Sequence, residues 1–108
     1  MTVSAILTGQ ARRELARAVQ RIAADNPDAA DGLNDAVRDA ARLIGGNPAL
    51  GARRLRLAGS RYRFWPIPRY RYLIVDTDAI DPPRILRVLH TARDLPTLLA
   101  DLREPPGR

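Results

Sequence analysis

The chain has 108 residues and a net charge of +6, from 18 arginines against 12 acids, with one histidine, no lysine and no cysteine. Disulfides and thiolate metal centres are excluded, a metal site has no support from one histidine and no cysteine, and nothing calls for a cofactor. The size fits one domain, 1–108, around a single modest core.

No apolar run approaches the ~20 residues of a membrane-spanning helix. Residues 1–15 lack the basic start and long apolar centre of a secretory signal, so the expectation is a soluble cytoplasmic protein with no membrane contact.

Val3–Leu7 leans apolar and reads as a first strand. Thr8 is placed to cap a helix running to about Asp25, in which Ala11, Leu15, Ala18, Val19 and Ile22 recur at spacings of three and four. Asn26-Pro27 punctuates the chain: Asn26 caps a second helix, and Pro27 sits in its first turn, where a missing N–H costs nothing. Ala29, Leu33, Ala36, Val37, Ala40, Leu43 and Ile44 share a face of that helix, and Gly45-Gly46-Asn47-Pro48 stops it. The glycine pair is a helix stop and no phosphate loop, because no strand precedes it and no Lys-Ser/Thr follows. The short connection makes the two helices an antiparallel hairpin.

The period then changes. Arg53–Leu57, Arg61–Trp65, Tyr70–Val75 and Ile85–Thr91 read as strands, separated by Gly59-Ser60, Pro66-Ile67-Pro68 and the Asp- and Pro-rich loop Asp76–Pro83. Asp94 is placed to cap a last short helix, Leu95–Leu102, and Glu104–Arg108 is expected to fray. Helices followed by a run of strands define an α+β fold. An N-terminal strand and an antiparallel helical hairpin pack on a mostly antiparallel four-stranded sheet, with a short C-terminal helix.

The positive charge is local. Between 51 and 72 stand Arg53, Arg54, Arg56, Arg61, Arg63, Arg69 and Arg71 without one acid, interleaved with Tyr62, Phe64, Trp65, Tyr70 and Tyr72. Cations among rings serve single-stranded nucleic acid, the cations on phosphates and the rings on bases. They equally serve an acidic protein segment. The bland alternative is a solvated strand face with the aromatics turned inward, which the alternation of Arg61 and Arg63 against Tyr62 and Phe64 fits. Seven arginines without an acid favour an interaction surface, for which Arg53, Arg54, Arg61, Arg63, Arg69 and Arg71 are the candidates.

The stretch Arg84–Asp94 ends the strand run. Ile85, Leu86, Val88 and Leu89 suit a strand covered on both faces, Arg87 interrupts it, and His90, Arg93 and Asp94 crowd its exit. Alternation puts His90 on the face of Val88 and Leu86. A partly buried ring satisfied by a hydrogen bond is favoured there over a catalytic one. For Arg93-Asp94 a salt bridge beside a helix cap is favoured over catalysis.

The element order, carried by ARRELARAVQRIAADNPDAAD (Ala11–Asp31), NPALGARRLRLAGSRYRF (Asn47–Phe64), PRYRYLIV (Pro68–Val75) and ILRVLHTARD (Ile85–Asp94), resembles the RelE/ParE family of bacterial toxin–antitoxin toxins. The last piece leans to the ParE side, where a strand ending in R-V-L-H before a basic residue is familiar. The resemblance implies a small toxin neutralised by a cognate antitoxin in a hetero-oligomer. RelE-like members cut mRNA in the ribosomal A site, and ParE-like members block DNA gyrase. Where the family strand continues into Tyr-Arg, this chain has Asp76-Thr77, which removes an aromatic and a basic group from that edge.

Metal-free RNA cleavage needs general acid–base groups and fixed cations. A nuclease here would rely on Arg and Tyr together with His90, the candidates being Arg54, Arg56, Arg61, Arg71, His90 and Arg93, since glutamates are confined to Glu14 and Glu104. That poor stock favours a ParE-like inhibitor that binds a target protein such as gyrase. A RelE-like mRNA interferase is the enzymatic alternative, and an inactive antitoxin-binding relic the third.

Overall fold

The computed structural model describes residues 3–103. The tail Glu104–Arg108, expected to fray, lies outside them. The chain forms β1 (Ile6–Leu7), α1 (Gly9–Ala23), α2 (Pro27–Gly46), β2 (Tyr62–Ile67), β3 (Tyr72–Thr77), β4 (Arg84–His90) and α3 (Leu95–Leu98). A 3₁₀ turn at Ala100–Leu102 prolongs α3.

The expected caps form. Thr8 Oγ1 accepts the Ala11 N–H at 3.2 Å, and its hydroxyl donates to the Leu86 carbonyl at 3.3 Å, fixing the start of α1 against β4. Asn26 Oδ1 accepts the Ala29 N–H at 3.1 Å, with Pro27 in the first turn of α2. Near the end of α2 the N-terminal segment crosses so closely that a Cβ at Gly45 would lie 2.0 Å from the Val3 carbonyl oxygen. Only glycine admits that crossing, and the Ala5 N–H then donates to Ala41 O at 2.8 Å.

The four strands lie in the order β1-β4-β3-β2. β2–β3 and β3–β4 are antiparallel, and the short β1 runs parallel to β4. Alternation along β3 sends Tyr72 and Ile74 to the helical hairpin, where they meet Leu33, Val37 and Ile44. Leu73 and Val75 go to the other face, with Phe64, Leu89 and the α3 residue Leu99. The sheet is therefore covered on both sides, and the aromatics Phe64 and Trp65 of β2 pack inward on opposite faces.

Three expectations need correction. Arg53–Leu57 is not a strand. Only Ala52 pairs, in a single bridge to Phe64, after which the Leu57 and Ala58 N–H groups both donate to Arg54 O at 2.9 and 3.1 Å. Leu57 and Ala58 are sequence neighbours that pack into one cluster, which a turn allows and a strand forbids, while Leu55 is left 67% exposed. Second, Pro66 and Ile67 continue β2, because β2 is an edge strand and the missing proline N–H costs no ladder bond. Tyr70 instead belongs to a 3₁₀ turn, followed by Arg71 at φ 58°. Third, β4 contains a bulge. Its pairing steps from Asp76↔Ile85 to Val75↔Arg87, leaving Leu86 as an extra residue, so Ile85 and Val88, three apart, both reach the hairpin core. This breaks the simple alternation that would align Leu86 with Val88 and His90.

Candidate functional site: a divided set of arginines

Because β1 has only two residues, β4 runs on past Ile85 with no strand on its outer side. Glu14 of α1 takes that place. Its Oε1 accepts the Val88 N–H at 2.9 Å, and its Oε2 accepts Arg87 Nε and Nη2 at 2.9 and 2.7 Å. Arg87 Nη1 also donates to Leu98 O at 3.0 Å, so one guanidinium ties β4 to both α1 and α3. These side chains are 12% and 15% exposed, which makes the pair a structural lock rather than a surface contact.

His90 follows on the hairpin side of the sheet. Its ring meets Tyr72 edge-on, with centroids 5.1 Å apart and planes at 84°, and its Nδ1 accepts the Ala92 N–H at 3.0 Å. It is a half-buried ring held by a hydrogen bond. Asp94 caps α3, accepting the Thr97 N–H at 3.4 Å and the Thr97 hydroxyl at 2.7 Å. That carboxylate is occupied by Thr97, and the expected Arg93–Asp94 ion pair does not form.

Between α1 and β4 lies an open cavity of about 260 Å³. Arg13, Arg17 and Arg21 line one wall; Arg87, His90 and Arg93 line the other. The α1 arginines are not among the candidates drawn from the sequence, where only the apolar face of that helix is singled out. Their spacing of four residues on one face was the available signal.

The arginines of the 51–72 tract separate. Arg53 Nε donates to Ser60 O at 2.9 Å, and the Arg54 guanidinium stacks 5.6 Å from the centroid of the Phe64 ring. Arg56 and Arg61 are exposed at the same end of the sheet. Arg63 turns inward, donating from Nη1 to Gly51 O at 3.0 Å and Ala49 O at 3.4 Å, with Nε 3.8 Å from Asp78. Arg69 stacks on Tyr70 at 5.6 Å beyond the other end of β2, and the exposed Arg71 lies beside the exit of β4, its carbonyl accepting the Thr91 N–H at 2.8 Å. A six-residue strand separates the two groups by roughly 20 Å. Arg54 also lies on the α3 face of the sheet, whereas His90 lies on the hairpin face.

Next to Arg63 in the sheet register is Asp76, fully buried, whose two carboxylate oxygens find no hydrogen-bond partner. Burial pushes its carboxyl from an ordinary 3.8 up to about 7, while the Arg63 charge pulls it down and Asp78 pushes it up. Thr77, the other departure from Tyr-Arg, donates its hydroxyl to Arg61 O at 2.9 Å and accepts the Ala79 N–H at 3.2 Å. Among the described residues no three His, Cys, Asp or Glu side chains gather to hold a metal, and no helix is long and apolar enough to cross a membrane.

A helical hairpin covers one sheet face, a short helix covers the other, and arginines are distributed over the surface of this α+β fold. The family model described as the ParE toxin of the type II toxin–antitoxin system, parDE, matches residues 5–95, and the chain belongs to that family. It is the toxin component of such a pair, with an antitoxin as its partner. The fold is shared with a solved structure of the chromosomal ParDE toxin–antitoxin system from P. aeruginosa, at a TM-score of 0.67 and 18% identity over 82% of this chain and 96% of that one. No curated protein matches the sequence.

Proposed function

We propose that this ParE-type toxin acts in the cytoplasm as an inhibitor that binds a target protein, DNA gyrase, and carries out no catalysis of its own. The observation that supports this is the division of its arginines by the sheet. Metal-free cleavage of RNA requires a base, an acid and phosphate-holding cations around one reacting phosphate. Arg54, Arg56 and Arg61 stand at one end of the sheet; Arg71, His90 and Arg93 stand at the other. Glu14, the carboxylate in the cavity lined by His90 and Arg93, is already held by Arg87 and the Val88 N–H.

The exposed arginines of the first end suit the acidic segment of an antitoxin that folds on binding, giving a toxin–antitoxin hetero-oligomer. Arg63 serves the loop carbonyls instead, so charge reversal at Arg54 and Arg61 tests this surface without unseating the loop.

The deciding experiment is primer extension on abundant transcripts minutes after induction without antitoxin, followed by a supercoiling assay. Intact transcripts, arrested growth and inhibited supercoiling are expected, with toxicity retained in a folded His90→Ala protein. New 5′ ends within translated codons would make the chain an mRNA interferase. Normal growth with soluble protein would make it a relic that binds only its antitoxin.

A further inference from the structure

The cavity between α1 and β4 is lined by arginines from both walls. Arg13, Arg17 and Arg21 follow one another at steps of about 6 Å along the helix. Arg93 faces them, while Arg87 and the one carboxylate in the lining, Glu14, are paired with each other in the lock and cancel in charge. The trough therefore presents a one-sided positive field built from guanidinium forks, the groups best shaped for phosphate oxygens.

Three features select the ligand. A docked protein helix needs an apolar stripe to bury, and the exposed large apolar residues (Val3, Ile6, Leu43, Leu50, Leu55, Ile80) all lie outside the trough. Single strands need open ring faces for base stacking, and the two rings of the lining, Tyr72 and His90, are packed edge-on against each other, the first buried and the second half-buried. The lining offers a single amide, Gln10, for an adenine edge, and its arginines stand in a row along the walls, the arrangement that follows successive phosphates. We infer that the α1–β4 trough binds the phosphate backbone of double-stranded nucleic acid, without regard to sequence. The arginines run along the backbone, and the lock between Glu14 and Arg87 keeps the two walls at a fixed spacing.

The test is fluorescence anisotropy of the full chain with a short labelled DNA duplex, the matching RNA duplex, the single strands and poly-glutamate, over a range of salt. Duplex binding is expected to weaken steeply with salt. Arg17→Gln with Arg21→Gln should lower duplex affinity about tenfold or more and reduce the log–log salt slope by about two, close to one per lost phosphate contact. Arg13→Gln with Arg93→Gln should act alike from both walls, and Arg38→Gln with Arg42→Gln on α2 should change nothing. Circular dichroism confirms that each variant is folded. A preference between the DNA and RNA duplexes identifies the natural source and supports the site either way. No duplex binding at low salt, binding indifferent to the trough substitutions, tighter binding of single strands, or trough-dependent preference for poly-glutamate would each overturn it.

Discussion

Two carboxylates are drawn into this small fold, and they are treated in opposite ways. Glu14 reaches from a helix to the side of β4 that has no strand, where a backbone N–H and a guanidinium stand available, and it takes three hydrogen bonds. Asp76 sits in the middle of the sheet, where the neighbouring backbone groups are committed to the ladder, and takes none. Its cross-strand neighbour Arg63 is turned toward Gly51, Ala49 and Asp78. Burial alone therefore does not set the cost of an acid; the supply of unclaimed donors does.

The widest gap between the two should appear against pH. The unfolded chain releases the Asp76 proton near 3.8 and the native chain only near 7. The native state thus suffers no penalty at low pH, an increasing one between those values and a constant one above them. On this basis stability should decline by on the order of 4 kcal/mol from pH 4 to above 7, read by chemical denaturation at a series of pH values. Asp76→Asn should remove that slope; the same slope in the variant would assign it to other groups. Next in size, Glu14→Ala should cost about 3 kcal/mol by stranding Arg87 and the Val88 N–H, and replacing Arg87 by Met in the same chain should recover part of it. Equal losses in the single and double variants would mean that the lock acts through packing.

Smaller effects refine the contrast. Arg63→Met should move the Asp76 titration upward, since the cation that favours its ionised form is gone, an effect seen in the carboxyl carbon resonance. Thr77→Val should cost about 1 kcal/mol at every pH, because the lost hydrogen bonds at that neighbouring buried side chain do not titrate.

Features legible in the sequence were those that depend on near neighbours. Thr8, Asn26 and Asp94 cap helices through N–H groups three residues away, and each expected cap forms. The order of the other elements also followed from pattern. The bulge at Leu86 did not, because an extra residue leaves no trace in composition, and with it went the position of Arg87 and the purpose of Glu14. The Arg53–Leu57 turn was missed for a related reason: its alternating arginines and leucines satisfy a strand pattern, and only docking of Leu57 and Ala58 on the α3 face decides otherwise. The contiguous arginine tract was visible as a run, but chain proximity hid the strand length that pulls it apart, and the trough arginines of α1 became a wall only when β4 came to rest opposite them.

The brevity of β1 bears finally on how copies of this toxin behave toward one another. A long bare edge is a template on which a second chain can extend the sheet. Among the described residues, the outer side of β4 beyond Ile85 is stoppered: Thr8 holds the Leu86 carbonyl and Glu14 the Val88 amide. At the far edge Pro66 has no amide to offer, and Ala52 already occupies Phe64. Molecules parted from their antitoxin thus meet with blunted edges, and strand-by-strand growth into fibrils has little on which to start.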